Sequence, residues 1–294
     1  MKRQALFFNI LTAAMFAVPA FAAGDGITGV QWGRNSYNFG GMPSGPQPVK
    51  NLSRHLDGVA NSSQMVGDYR NPILTPEAAA ALKKKGEQAI AEGGFSTSED
   101  QCRTIAPPLT AAVQFDFHIL PKKDGDLTIV YHVDNQVRHI RMNGTHPAKL
   151  APSAMGDSIG HWEGDMLVID TVGIKTDAFI SSDLFGTPQS ELMHVVERYR
   201  LIEGARAKAD IAAYEKTEGV IGGRTNGYTP DPNRKGLRLE VTMEDPKVFT
   251  QPLTAVVTYL PLTFGWREYV CADNPIEHYK DEWIGLPMAN HPDF

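Results

Sequence analysis

This sequence predicts a mainly β fold, an antiparallel barrel or a sandwich with one N-terminal helix and long N- and C-terminal arms. Three observations carry that expectation. Short runs of alternating apolar residues recur from Val113 onward, separated by turn signals such as Lys123-Asp124-Gly125 and Asp134-Asn135. Only one segment has a strong helix start, and glycine and proline make up about 16% of the 294 residues, above the ~12% of an average chain.

The first 22 residues read as an export signal: Lys2 and Arg3, an apolar run from Ala5 to Val18, then Pro19 and the small-residue site Ala20-Phe21-Ala22. The run is shorter than the ~20 residues a bilayer-spanning helix needs, so cleavage after Ala22 and a periplasmic or secreted location are expected. The full chain carries a formal charge of −6. Removing Lys2 and Arg3 leaves a more acidic mature protein, which excludes the basic surface that nucleic acid or anionic lipid requires. Residues 23–100 form an arm followed by a helix. Thr75-Pro76-Glu77 supplies an N-cap hydroxyl, a proline suited to the first turn and an acid for the positive end of the helix dipole, and Gly93-Gly94 ends it.

Residues 101–274 hold ten expected strands: Val113–Leu120, Leu127–Val133, Val137–Met142, Ser158–Trp162, Met166–Val172, Met193–Ile202, Ile211–Lys216, Leu237–Glu244, Leu253–Leu260 and Phe264–Cys271. Gly164 between Glu163 and Asp165 supplies the positive φ of a tight hairpin. Residues 219–236, rich in glycine, read as a long loop suited to a lid, and residues 275–294 as a tail. Two cysteines in an oxidising compartment, Cys102 and Cys271, are expected to pair.

Part of this chain resembles a group of exported bacterial proteins. The blocks that carry the resemblance are Gly156-Asp157-Ser158-Ile159-Gly160-His161-Trp162-Glu163-Gly164-Asp165, Glu197-Arg198-Tyr199 and Glu268-Tyr269-Val270-Cys271. Around Asn143 and Thr145 the chain departs from the Asp-Gly-Arg of the group. The resemblance implies export and a β-rich fold, and it carries no catalytic residue across.

Nucleotide-binding glycine loops, the Gly-x-Ser-x-Gly elbow, His-Glu-x-x-His, EF-hand and haem-attachment motifs are all missing from the sequence, and no His-x-His occurs. No cofactor and no metal are therefore expected. The residues left to carry chemistry are histidines and charged groups on the expected strands. His161 and Glu163 share a strand face, as a base with its orienting acid or as a hydrogen bond that fixes the hairpin. In His194-Val195-Val196-Glu197-Arg198-Tyr199, Glu197 and Arg198 point to opposite faces, so one of them is directed inward and must be paired or serve a ligand. Arg138 shares a face with Ile140 and Met142, and it is either the partner of Glu197 or an anchor for a planar anion. His146 sits at a strand end, and Asp157 is expected to face Asp170 across the hairpin.

The catalytic candidates are thus His194, Glu197, His161, His146 and Asp157, and the substrate-binding candidates are Arg138, Arg198, Tyr131 and Trp162. Together they predict an exported enzyme that needs no cofactor and performs lyase or isomerase chemistry on a small, partly apolar molecule inside a lipocalin-like barrel. The alternative is a barrel that binds such a molecule without changing it. A second histidine beside His161 or His194 in space would raise a metal-dependent variant.

Overall fold

The computed structural model describes residues 26–34, 38–52, 66–92, 98, 102–112, 116–177, 180–218, 231–262 and 270. The export signal, Cys271, the expected strand Phe264–Cys271 apart from Val270, most of the 219–236 loop and the C-terminal tail lie outside these residues.

Among the described residues ten strands form one sheet: β1 (Gln31–Arg34), β2 (Gly40–Gly41), β3 (Phe117–Pro121), β4 (Leu127–Tyr131), β5 (Val137–Met142), β6 (Asp157–Glu163), β7 (Met166–Val172), β8 (His194–Ile202), β9 (Gly236–Glu244) and β10 (Leu253–Pro261). β1 and β3–β10 follow one another around the ring, and β1 pairs with β10 to close a nine-stranded barrel. The short β2 runs along β10 beyond β1, with Gly41 opposite Ala255.

Alternation decides which side chains enter. In β8 the residues Val195, Glu197 and Tyr199 are buried while His194, Val196 and Arg198 are partly exposed. In β9 Leu237, Leu239, Val241 and Met243 fill the interior. Phe117 packs edge-on against Tyr259, with ring centroids 4.9 Å apart, and lies 6.2 Å from both Tyr131 and Tyr199. The β6–β7 hairpin turns on Gly164 at φ 65°, with Glu163 opposite Met166. A positive φ at the first turn position alone matches a type II′ turn, which suits the twist of the flanking strands.

The barrel is mixed, not wholly antiparallel, because β5 and β6 run parallel, with Ile140 opposite Ser158. A parallel pair cannot be joined by a tight turn. The segment 143–156 therefore crosses back along the outside of the barrel, tied by Asn143 N–H to the Gly160 carbonyl at 2.6 Å and by Ser153 N–H to the Gly173 carbonyl at 3.1 Å.

Among the described residues three α-helices, not one, accompany the sheet: α1 (Pro76–Glu92), the four-residue α2 (Leu109–Ala112) and α3 (Gly204–Glu218). α1 starts as its sequence dictates, with the Ala78 N–H donating to Thr75 Oγ1 at 3.2 Å. Its buried stripe is Ala78, Leu82 and Ala89. Gly86 lies on the same side, and a Cβ there would sit 2.4 Å from Val66 Cγ1, so glycine is what lets the arm pack onto the helix. α3 corrects the expected strand Ile211–Lys216. Residues 205–216 are mostly strong helix formers, and Arg206 bonds Asp210 one turn on at 2.7 Å. α3 buries Ala207 and Ile211 against Leu260 on the outer wall of the barrel. Among the described residues no helix is long and apolar enough to cross a membrane.

Candidate functional site

The structure separates the candidate residues into two groups, one inside the barrel and one outside, and adds a groove that the sequence reading did not anticipate.

Inside, Glu197 is the inward member of its pair, and Arg138 is its partner. Both are 1% exposed. Arg138 Nη2 donates to Glu197 Oε2 at 2.5 Å and to Thr171 Oγ1 at 2.6 Å, Nε donates to Ser158 Oγ at 3.0 Å, and Nη1 reaches Tyr131 OH at 3.5 Å. Tyr199 OH donates to the other Glu197 oxygen at 2.8 Å. Burial alone opposes the guanidinium charge, but the adjacent Glu197 carboxylate outweighs it and holds Arg138 protonated above its ordinary value. Burial pushes the Tyr131 and Tyr199 phenols up, and the Glu197 charge adds to this at both. Glu197, expected as a base, and Arg138 and Tyr131, expected as ligand anchors, thus lie in one hydrogen-bonded network. Trp162 also points inward, half-buried against the core.

Outside, the crossover carries His146 over the β6–β7 hairpin. Asp157 does not face Asp170: it lies opposite Val172, and Asp170 lies opposite Ile159, so the two carboxylates are diagonal neighbours. His146 fits between them, Nδ1 at 2.6 Å from Asp157 Oδ1 and Nε2 at 3.1 Å from Asp170 Oδ1. His194 Nε2 reaches the same Asp170 oxygen at 3.0 Å, and its Nδ1 lies 3.4 Å from Glu244 Oε2. Arg141 closes the other end, donating to Asp157 Oδ1 at 2.7 Å. The result is a row of alternating basic and acidic side chains across the outer face of β5–β9. The hydrogen bond to Asp170 raises the His194 pKa, and the same bond lowers that of Asp170. Although two histidines converge on one carboxylate, no group of three His, Cys, Asp or Glu side chains among the described residues is arranged to hold a metal ion.

His161 and Glu163 stand apart from this row. They bond to each other at 3.0 Å along one strand, both about half exposed. Arg198 points outward between Val168 and Glu240.

The groove lies between α3, the arm around residues 39–50 and the outer wall of β9 and β10, with a volume of about 540 Å³. Apolar surface comes from Phe39, Ile211, Tyr214 and Val256, and charge from Lys50, Arg206, Arg238 and Asp210. The arm is held in place as a wall. Gln47 Nε2 donates to the Met42 carbonyl at 3.0 Å, and Asn71 Nδ2 donates to the Gln47 and Pro48 carbonyls at 3.1 and 3.2 Å. At the base of the groove Arg238 is 5% exposed, with Nη1 on Asp210 Oδ2 at 2.8 Å and Nε on Glu240 Oε1 at 3.1 Å.

No known family, curated protein or solved structure matches this chain. The sequence reading missed Arg206, Asp210, Tyr214 and Arg238. The first three belong to α3, of which Ile211–Lys216 was expected as a strand, and the alanine-rich run with acid and base four residues apart is the signal that identifies it as a helix.

Proposed function

We propose that this is an exported barrel protein that binds a small, partly apolar molecule in the groove between α3, the arm and the wall of β9 and β10. The observation that carries this reading is a concave site of about 540 Å³ with apolar walls and a few charged groups converging on it, the composition typical of small-molecule sites. The catalytic candidates argue the same way. Glu197 and Arg138 are paired with each other inside the barrel, and both nitrogens of His146 and of His194 face carboxylates. Export with loss of residues 1–22 and a Cys102–Cys271 bridge belong to the same proposal.

A second reading, acid and base chemistry without a cofactor, is favoured by one feature only. Two imidazoles share Asp170 Oδ1 on a face that solvent reaches, so a proton can pass along the row. The two readings part in one experiment. Thermal unfolding is followed against a panel of small aromatic, terpenoid and acidic metabolites, because a ligand of the folded state raises the midpoint by mass action. Binding in the groove predicts a shift lost in Ala213→Trp and kept in His194→Ala. Turnover of the bound compound that disappears in His194→Ala would support the catalytic reading instead.

A further inference from the structure

Arg238 is a buried strong donor in the groove, and one of its nitrogens is only weakly satisfied. Its Nε and Nη1 have carboxylate partners, but the hydrogen-bond partner of Nη2 is the thioether sulfur of Met42, at 3.8 Å. A thioether is a weak acceptor, and a buried guanidinium normally has its hydrogen bonds filled by strong ones. The side chain is 6% exposed and lines the groove, so a strong acceptor placed there would meet a donor that is already desolvated and held in position. The charge around it has the same sense. Lys50, Arg206 and Arg238 line the groove with Asp210 as the single carboxylate among the lining residues, on a chain whose overall charge is −6. The remaining walls, Phe39, Ile211, Tyr214 and Val256, suit a hydrocarbon or aromatic body.

Resting on the reading of the groove as a ligand site, we propose that its ligand is a small organic monocarboxylate with an apolar body, the carboxylate displacing Met42 Sδ from Arg238 Nη2. A charge-assisted hydrogen bond from a guanidinium to a carboxylate is stronger than one to a neutral amide or alcohol of the same shape. Specificity for the acid over its neutral isostere follows.

The test is titration calorimetry of the full-length mature chain with 4-phenylbutyrate and 1-naphthaleneacetate, each against its primary amide. Binding of the acid at least tenfold tighter than that of the amide is expected. In Arg238→Gln the preference falls to about one, and Ala213→Trp, a change at an exposed helix position that fills the groove, removes both. If acid and amide bind equally and both are lost in Ala213→Trp, the groove remains a ligand site and the carboxylate assignment is overturned. If the acid binds Ala213→Trp as well as the parent, the groove reading fails with it. Arg238→Lys keeps a charge without the planar guanidinium that holds Nη2 in position while Nε and Nη1 stay on Glu240 and Asp210. It is expected to retain only part of the preference, and full retention would overturn the role given to the guanidinium.

Discussion

Replacing Glu197 by Gln removes one charge from the barrel interior and little else. The amide keeps an oxygen for the Tyr199 hydroxyl, now 2.8 Å from Glu197 Oε1, but it cannot neutralise Arg138, which is 1% exposed and loses its only carboxylate partner in the described network. An uncompensated buried charge of this kind costs about 3–5 kcal/mol. For a domain of this size 1 kcal/mol is worth roughly 2–4 °C, so the midpoint should fall by on the order of 10 °C. Urea unfolding gives the cleaner number, as a lower midpoint at unchanged slope. The double variant Arg138→Met with Glu197→Leu removes both charges and should recover most of the loss, since well-packed apolar replacements for buried ion pairs are often neutral. A loss below about 1 kcal/mol for Glu197→Gln, against the 3–5 expected, would refute the claim that Arg138 depends on this carboxylate. A double variant no better than the single one would show instead that the surrounding Ser158, Thr171 and tyrosine hydroxyls need the charges.

The outer row should make stability depend on pH. His194, whose pKa is raised from 6.5, contributes fully below that value and loses its contribution as pH rises through the higher folded one. Asp170, lowered from 3.8, contributes above that value and loses its share as pH falls through the lower folded one. Their pairing is therefore strongest between pH 3.8 and 6.5. Solvent screening keeps it to about 1 kcal/mol or less. His194→Gln should flatten this part of the stability profile, and an unchanged profile would mean that the pair contributes nothing. Gly86→Ala should destabilise the fold by about 1–3 kcal/mol through its clash with Val66, in spite of alanine's better helix propensity; chemical unfolding of Gly86→Ala alone and with Val66→Ala checks this, the second change expected to relieve the loss. Cys102→Ser should lower stability by up to ~5 kcal/mol, the chain-entropy value for so long a loop, and thiol titration of the unreduced parent should find no free cysteine.

Several barrel strands could be read from sequence because they alternate apolar and polar residues, and a period of two is visible within a single run such as Leu237–Glu244, where Leu237, Leu239, Val241 and Met243 enter the core. The direction of pairing could not. Whether β6 runs with or against β5 depends on how the 143–156 crossover returns, and nothing inside either strand records it. The same limit hid the outer row of charge, since His146 reaches Asp157 and Asp170 only because the crossover passes over their hairpin. The Arg138–Glu197 pair was legible in part. Each residue shares a face with apolar core positions, so each required a partner, and the two satisfy one another across 59 residues of sequence. α3 was lost to a short run, Ile211–Lys216, judged without the alanines that precede it, and the groove was lost with it.

Closure of the barrel joins β1 to β10, with nearly the whole described chain between them. Such a pairing has a very high sequence separation, and its loop-closure entropy must be met before any contact repays it. Until the last strand arrives, β3 and β10 both present open edges that can pair with another chain. The seam is short, with Trp32 opposite Pro261 and Arg34 opposite Tyr259, and the buried Trp32, whose indole Nε1 donates to the Ile27 carbonyl at 2.9 Å, anchors it. Assembly of this protein should therefore end at that tryptophan, whose fluorescence would report completion of the ring, and aggregation during refolding should compete with that final step rather than with formation of the β3–β10 sheet.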